Sequence, residues 1–308
     1  MSTATNQIAG NWASLLLPIN ADDNIDFARL WDAMDVLVAA GVDGIYSNGT
    51  ASEFYTQSEA EFDRIQEMLA KRCTAAGQPF IIGACHTDAR QSLDRVRRAV
   101  ALKPLAMQVI LPDWWPVGVD EARDFLMQAS EAAAGIPLIL YNPPHAKRVL
   151  TPAEIAEATR GTAVTATKLT LGGEGWYEEA RQHLSHLGVF VPGHHLATGV
   201  REGVAAGAFS NVACLSPIGA QRWTEMMKTD PATALDIETR IKGFVMGHIL
   251  PFAEQGYSNA ALDKLLAAIG GWADVGTRLR APYRSIDPDA AKALRAIALE
   301  MIPEIMTP

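Results

Sequence analysis

Eight short apolar runs, helical periodicity between them and a glycine ahead of most runs predict an α/β fold: a closed parallel (β/α)8 barrel, the TIM-barrel class, with a C-terminal helical extension. The runs are Ala13 to Leu17, Gly44 to Tyr46, Phe80 to Ala84, Met107 to Leu111, Leu138 to Tyr141, Ala163 to Thr167, Val189 to Val191 and Ser210 to Leu215. Most are continuous rather than alternating. That is the pattern of strands with helices on one face and packed side chains on the other.

The first intervening segment places Phe27, Leu30, Trp31, Met34, Leu37 and Val38 at helical spacing, and Phe62, Ile65, Met68 and Leu69 do the same before the third run. Gly41, Gly77, Gly135, Gly161, Gly188 and Gly207 each precede a run, where a helix ending in a left-handed residue is expected. No Gly-x-Gly-x-x-Gly turn follows the first run, which counts against a doubly wound dinucleotide-binding sheet. Ala220 to Met227 completes the last barrel helix. A barrel of this kind is complete within about 250 residues. Residues 1–227 are therefore read as the barrel, and residues 228–308 as an extension packed on it, with helices over Ala232 to Pro251, Asn259 to Ala268 and Asp287 to Ile302.

The chain has 308 residues, 49% of them hydrophobic, enough for one large core. Its net charge of -9 and the lack of any basic cluster longer than Arg95-Val96-Arg97-Arg98, expected as a solvated helix face, speak against a nucleic-acid partner. Cys73, Cys85 and Cys214 have no metal-ligand spacing and are expected as free thiols of a reducing compartment, the cytoplasm. Met1 to Gln7 lacks a basic region followed by an apolar core, and no run of about 18 apolar residues follows. Neither an export signal nor a membrane partner is expected.

Of the eight lysines, Lys71, Lys103, Lys147, Lys228, Lys242, Lys264 and Lys292 sit among polar neighbours in helical or loop patterns, where solvated surface charges are expected. Lys168 alone terminates a strand pattern. An ammonium at the mouth of a buried strand loses hydration, which favours the neutral amine, a nucleophile toward carbonyls; a salt-bridged strand end is the alternative.

Chemistry in such barrels gathers at the C-terminal strand ends, so the residues there are read together. They are Pro18, Asn48-Gly49-Thr50-Ala51, Ala84-Cys85-His86, Pro112-Asp113-Trp114-Trp115, Tyr141, Lys168, Gly193-His194-His195 and Cys214 to Pro217. Tyr141 and Lys168, on adjacent strands, both face the mouth. Tyr141 reads either as a proton carrier or as a core tyrosine bonded to backbone.

Three motifs in this order carry a resemblance: Gly49-Thr50-Ala51-Ser52-Glu53-Phe54, Tyr141-Asn142-Pro143-Pro144 and Lys168. Together they resemble the Gly-Thr-Thr-Gly-Glu loop, the Tyr-Asn-x-Pro segment and the Schiff-base lysine of the dihydrodipicolinate synthase and N-acetylneuraminate lyase family, over nearly the whole chain. The chain looks like a divergent member of these class I, pyruvate-dependent lyases. The resemblance implies an imine between Lys168 and a 2-oxo acid such as pyruvate, proton transfer by Tyr141, and a carboxylate held at Gly49, Thr50 and Ala51. It also implies a homotetramer. Neither cofactor nor metal is called for, because the imine itself is the electron sink.

The departures bear on the substrate. Ala51 stands for the loop's second threonine and Trp114 stands near a relay tyrosine, which predicts loss of the hydroxyl chain from Tyr141 to solvent. His145-Ala146-Lys147 meets the position of the family's carboxylate-binding arginine, His194-His195 replaces an acidic pair, and the turn at the eighth run carries Asn211. Trp114, His145 and Asn211 are therefore expected to shape the second half of the substrate site. Trp114 and Trp115 are read as an apolar wall at the mouth or as a subunit contact.

The resulting expectation is an aldolase or dehydratase acting on a 2-oxo acid. The alternatives are an authentic 4-hydroxy-tetrahydrodipicolinate synthase, a non-catalytic 2-oxo-acid sensor, and a metal-dependent barrel lyase built on His86, His145, His194 and His195.

Overall fold

In the computed structural model, residues 8–170 and 175–307 are described; Met1 to Gln7, read above for the absence of an export signal, lies outside them. Eight parallel strands close a barrel in sequential order: β1 (Gly10–Ser14), β2 (Gly44–Tyr46), β3 (Phe80–Gly83), β4 (Ala106–Ile110), β5 (Leu138–Asn142), β6 (Val164–Leu169), β7 (Gly188–Pro192) and β8 (Ala205–Phe209), with β8 pairing back onto β1. Helices α1 (Phe27–Ala39), α2 (Glu59–Ala76), α3 (Ala89–Ala99), α4 (Val119–Ala132), α5 (Pro152–Thr159), α6 (Trp176–His183) and α7 (Leu196–Arg201) alternate with the strands. After β8 come α8 (Asn211–Leu215), α9 (Pro217–Thr229), α10 (Pro231–Phe244), α11 (Leu250–Glu254), α12 (Asn259–Gly270), α13 (Pro288–Met301) and α14 (Pro303–Met306).

Local chemistry sets the helix ends. Ser58 and Glu61 form a reciprocal capping box on α2, and Thr151 with Glu154 does so on α5, satisfying amides that a helix start leaves unpaired. Two apolar clusters divide the interior. Trp12, Tyr46, Ile81, Ile139, Ala166, Phe190 and Phe209 fill the barrel, and a larger cluster joins the outer strand faces to the helices. No helix among the described residues is long and apolar enough to cross a membrane.

Several expectations are corrected. The eighth strand is Ala205–Phe209, and the run Ser210 to Leu215 forms α8, capped by the Ser210 hydroxyl on the Ala213 amide. Small residues line that strand because Gly207 passes so close to Gly10 that a Cβ would stand 2.3 Å from its carbonyl oxygen, so the stretch reads as weakly apolar in sequence. Gly207 therefore lies inside a strand, Gly188 opens β7, and the left-handed residue before β8 is Gly203. The first strand begins at Gly10, upstream of the run at Ala13. The helix expected over Ala232 to Pro251 breaks: α10 ends at Phe244, and a wider π-helical turn, Val245–Ile249, leads into α11.

Two charged residues are not where solvation would put them. Lys264 is fully buried on α12, its ammonium 2.5 Å from the Glu53 carboxylate and 2.5 Å from the Arg278 carbonyl. Arg95 is buried too, paired with Glu59 at 2.7 Å and donating to the Cys85 carbonyl, while Arg97 of the same cluster is exposed. Helix α12 packs on α8 and on the 3-10 turn Thr50–Ser52, so the extension reaches the C-terminal face of the barrel.

Candidate active site

Residues two apart on a strand share a face. Ala166 and Ile139 belong to the barrel interior, so Lys168 and Tyr141, two residues beyond each, point inward one layer nearer the mouth. Register brings them together: Tyr141 pairs with Lys168 across β5 and β6, and Lys168 pairs with Phe190 across β6 and β7. Lys168 is the penultimate residue of β6 rather than a loop residue.

Aromatic faces surround its ammonium, with Nζ 4.2 Å from the ring centre of Tyr141, 5.1 Å from Tyr46 and 5.3 Å from Phe209. Such faces attract a cation but cannot replace a hydration shell. Burial accordingly brings the Lys168 pKa down to about 8, a fall opposed by the Asp263 carboxyl and the Cys85 and Cys214 thiols. A substantial share of free amine thus exists at mildly alkaline pH.

The loop after β2 reaches this amine through unusual backbone. Asn48 (φ 52°) and Glu53 (φ 51°) are left-handed, held by paired amides between Asn48 and Gln57 (3.0 and 3.2 Å) and by the buried Glu53–Lys264 ion pair. A Cβ on Gly49 would stand 3.0 Å from the Tyr46 ring and 3.8 Å from Lys168 Nζ, so glycine keeps the space beside the amine open. The next residue, Thr50, is buried and its Oγ1 lies 3.2 Å from the Tyr141 hydroxyl. Burial pushes the Tyr141 phenol up to about 12, against the Thr50 hydrogen bond, so it carries its proton at neutral pH.

Two cavities meet at this hydroxyl pair. An inner one of about 290 Å³ takes in Lys168, Ala51 and Asn211. An outer one of about 420 Å³ takes in His145, Asp113 and Tyr257, and Thr50, Tyr141 and Asn259 line both. On the far side of the inner cavity, Asn211 Oδ1 accepts from the His194 amide at 3.2 Å, and its Nδ2 lies 3.0 Å from His194 Nδ1. Burial lowers the His194 pKa, with the Asn211 hydrogen bond opposing, and so favours the neutral ring at pH 7. Gly193 allows this contact, since a Cβ there would stand 2.5 Å from Ser210 Oγ.

Lys168, Tyr141, Thr50, Ala51 and Asn211 are thus brought to one cavity, with Gly49 against the amine. His145 is not among them; it is exposed and lines the outer cavity, carried there by the turn after β5. Trp114 lines neither: its indole is 85% exposed, beneath the Lys147 ammonium at 4.6 Å, and Trp115 is 78% exposed. The β4 loop is tied down instead by Asp113, whose carboxylate accepts the Lys147 amide at 2.9 Å. Beside Ala51, the first link of such a hydroxyl chain is present, from Tyr141 to Thr50. Among the described residues, no three His, Cys, Asp or Glu side chains gather as a metal site.

Sequence reasoning missed Asp263. It comes from α12, lines the inner cavity with Lys168 and Cys214, and burial pushes its carboxyl up to about 7, opposed by Lys168 and Cys214. Sequence reasoning named Asn142 in a motif without a role; the side chain donates to the Arg148 carbonyl at 2.9 Å and accepts the Leu150 amide at 2.7 Å, folding the loop that follows Tyr141. A signal for α12 was present: Asp263 and Lys264 sit among Ala260, Ala261, Ala267 and Ala268, a small-residue helix surface suited to close packing.

Comparison with known proteins accords with this geometry. N-acetylneuraminate lyase of Citrobacter koseri is 27% identical over 179 residues, 57% of this chain and 59% of the lyase. The Escherichia coli lyase is 28% identical over 183 residues, 58% of this chain and 60% of its own length. The chain therefore spans about three fifths of the length of these relatives. YagE of Escherichia coli K12, a prophage protein of the dihydrodipicolinic acid synthase family solved with pyruvate, superposes with a TM-score of 0.82 at 20% identity, over 96% of this chain and 98% of that one. N-acetylneuraminate lyase of Fusobacterium nucleatum gives 0.81 at 18% identity, over 96% and 99%. These superpositions speak for the barrel and its helical extension as one shared fold. A family model, the dihydrodipicolinate synthetase family, matches residues 7–301, and the chain belongs to that family.

Proposed function

We propose that this protein is a Schiff-base-forming lyase that acts on pyruvate or a related 2-oxo acid through an imine on Lys168. The observation that carries this reading is the register pairing of Lys168 with Tyr141 inside a cavity, with the amine desolvated and the phenol bonded to Thr50.

Each step has a group to perform it. The substrate carboxylate is received by the turn at Gly49, Thr50 and Ala51, where a short 3-10 helix begins and Thr50 and Ala51 line the inner cavity. The neutral amine of Lys168 attacks the C2 carbonyl, and a carbinolamine forms. The Tyr141 phenol gives its proton to the departing hydroxyl and recovers one through Thr50, so that water leaves and a protonated imine remains. The imine accepts the electron pair released when a C3 proton or the C3–C4 bond is lost, and Tyr141 carries the proton in either case. An aldolase and a dehydratase share these steps.

The intact hydroxyl pair favours turnover over a sensor that only binds, since a binder has no need of an aligned proton carrier. Intact-protein mass after incubation with pyruvate and borohydride, followed by peptide mapping, tests the reading. A reduced pyruvyl group on Lys168 is the expected result, and a folded sample that takes up no adduct from any 2-oxo acid would overturn it.

A further inference from the structure

The inner cavity has an unusual balance of charge. Every lysine and arginine of the chain lies among the described residues, and Lys168 is the only one of them that lines this cavity. Arg148, the nearest guanidinium in sequence to the Tyr141 loop, is turned to Glu154, and Lys147 is spent on the Trp114 carbonyl at 2.6 Å. Among the described residues Asp263 is the only carboxyl in the lining, and burial favours the neutral ring of His194. Once a 2-oxo acid is bound, the positive imine is matched by the substrate's own carboxylate. Asp263 then remains as an uncompensated negative group.

The wall around Asp263 is largely apolar, with the Asn259 amide one helical turn away. Val245 and Ile249 of the π-helical turn, Leu250 of α11, and Leu262 and Leu266 of α12 face the same space. A second anion on the substrate would lose its hydration there and meet a like charge, with no cation to receive it. We propose that Asp263 and this apolar wall select an uncharged, largely apolar group as the part of the substrate beyond the 2-oxo acid, and reject a second carboxylate or a phosphate. The inference rests on the Schiff-base reading and names the substrate class of that same site.

Two 2-oxo acids of equal length make the test independent of which bond the enzyme breaks: 2-oxohexanoate ends in a methyl group, 2-oxoadipate in a carboxylate. Borohydride trapping on the full chain at pH 8 is followed against the concentration of each. Half-maximal labelling should need roughly tenfold less 2-oxohexanoate, the scale of one unscreened like-charge contact. Asp263→Asn should narrow that ratio. Equal concentrations, a preference for 2-oxoadipate, or an Asn variant that keeps the full ratio would overturn the proposal.

Should the Asn variant fail to fold, the native chain gives the same answer between pH 8 and pH 6. The titratable groups around Asp263 are Lys168 of β6, Cys214 of α8, His194 after β7, and the phenols of Tyr46, Tyr55 and Tyr141; the thiol and phenols stay protonated throughout that range, and burial favours the neutral His194 ring. The ratio should narrow as Asp263 takes up its proton, and a constant ratio would count against the assignment. Failure of pyruvate itself to label the native chain would sink the Schiff-base reading, whereas labelling by pyruvate without discrimination between the two longer acids would sink only this inference.

Discussion

The hydroxyl of Tyr141 and Oγ1 of Thr50 lie 3.2 Å apart, and both residues line the inner and the outer cavity, so the hydrogen bond between them sits where the two spaces meet. The phenol alone would be a donor with no means of recharging. With Thr50 beside it, the pair links the cavity that holds Lys168 to the outer one lined by His145 and Asp113.

Tyr141→Phe should leave the borohydride-trapped adduct detectable and slow turnover by about a hundredfold or more, the scale of a lost general acid-base. Thr50→Val should produce a smaller loss in the same parameter. Steady-state rates alongside trapping yields check both, and unchanged turnover in the Phe variant would make Tyr141 a packing residue.

Lys168→Met should abolish trapping without weakening the fold. The folded-state pKa of about 8 lies below the ordinary lysine value of 10.5, so the unfolded chain binds more protons between those values and native stability rises with pH across that window. The Met variant should lack that rise. Urea unfolding midpoints at pH 8 and pH 10 make the comparison.

The rate of adduct formation should climb with pH through about 8 as the ammonium of Lys168 gives way to the amine. Asp263 holds that pKa up, so Asp263→Asn should shift the limb to lower pH. Initial labelling rates measured across pH 6 to pH 10 decide it, and a shift to higher pH would mean that the carboxyl does not act on the amine.

Glu53→Gln or Lys264→Met should each destabilise the protein by about 3–5 kcal/mol, because either leaves one buried charge without its partner. The double variant should recover part of that loss. Denaturant titration of the three variants gives the coupling, and additive losses would show that the pair is not a unit.

The barrel was legible because strands covered on both faces keep a continuous apolar signature that helices do not share; Gly44–Tyr46 matches its run residue for residue. The strand Ala205–Phe209 was not, since close backbone approach at Gly207 demands small residues that carry little apolar signal. Lys168 and Tyr141 could be found because a polar residue near the end of a buried strand stands out. Asp263 and Lys264 were passed over, because a charged residue in an amphipathic helix looks the same whether its face meets water or the barrel mouth, and only the alanines around them mark a closely packed surface. Trp114 is the opposite case: a bulky aromatic beside a strand end suggests a wall or a subunit contact, and the indole stands exposed on a loop that Asp113 ties to Lys147.

Asp263 and Lys264 are consecutive, one lining the reaction space and the other neutralising Glu53, and both lie far downstream of the last strand. On the ribosome, all eight strands emerge before this helix does. Until it does, the turn at Thr50 lacks the charge that lets Glu53 stay buried. Lys168 and Tyr141 are therefore made early and Lys264 late, and a chain interrupted between β8 and α12 would carry Glu53 with no buried cation, leaving the loop after β2 to the paired amides of Asn48 and Gln57.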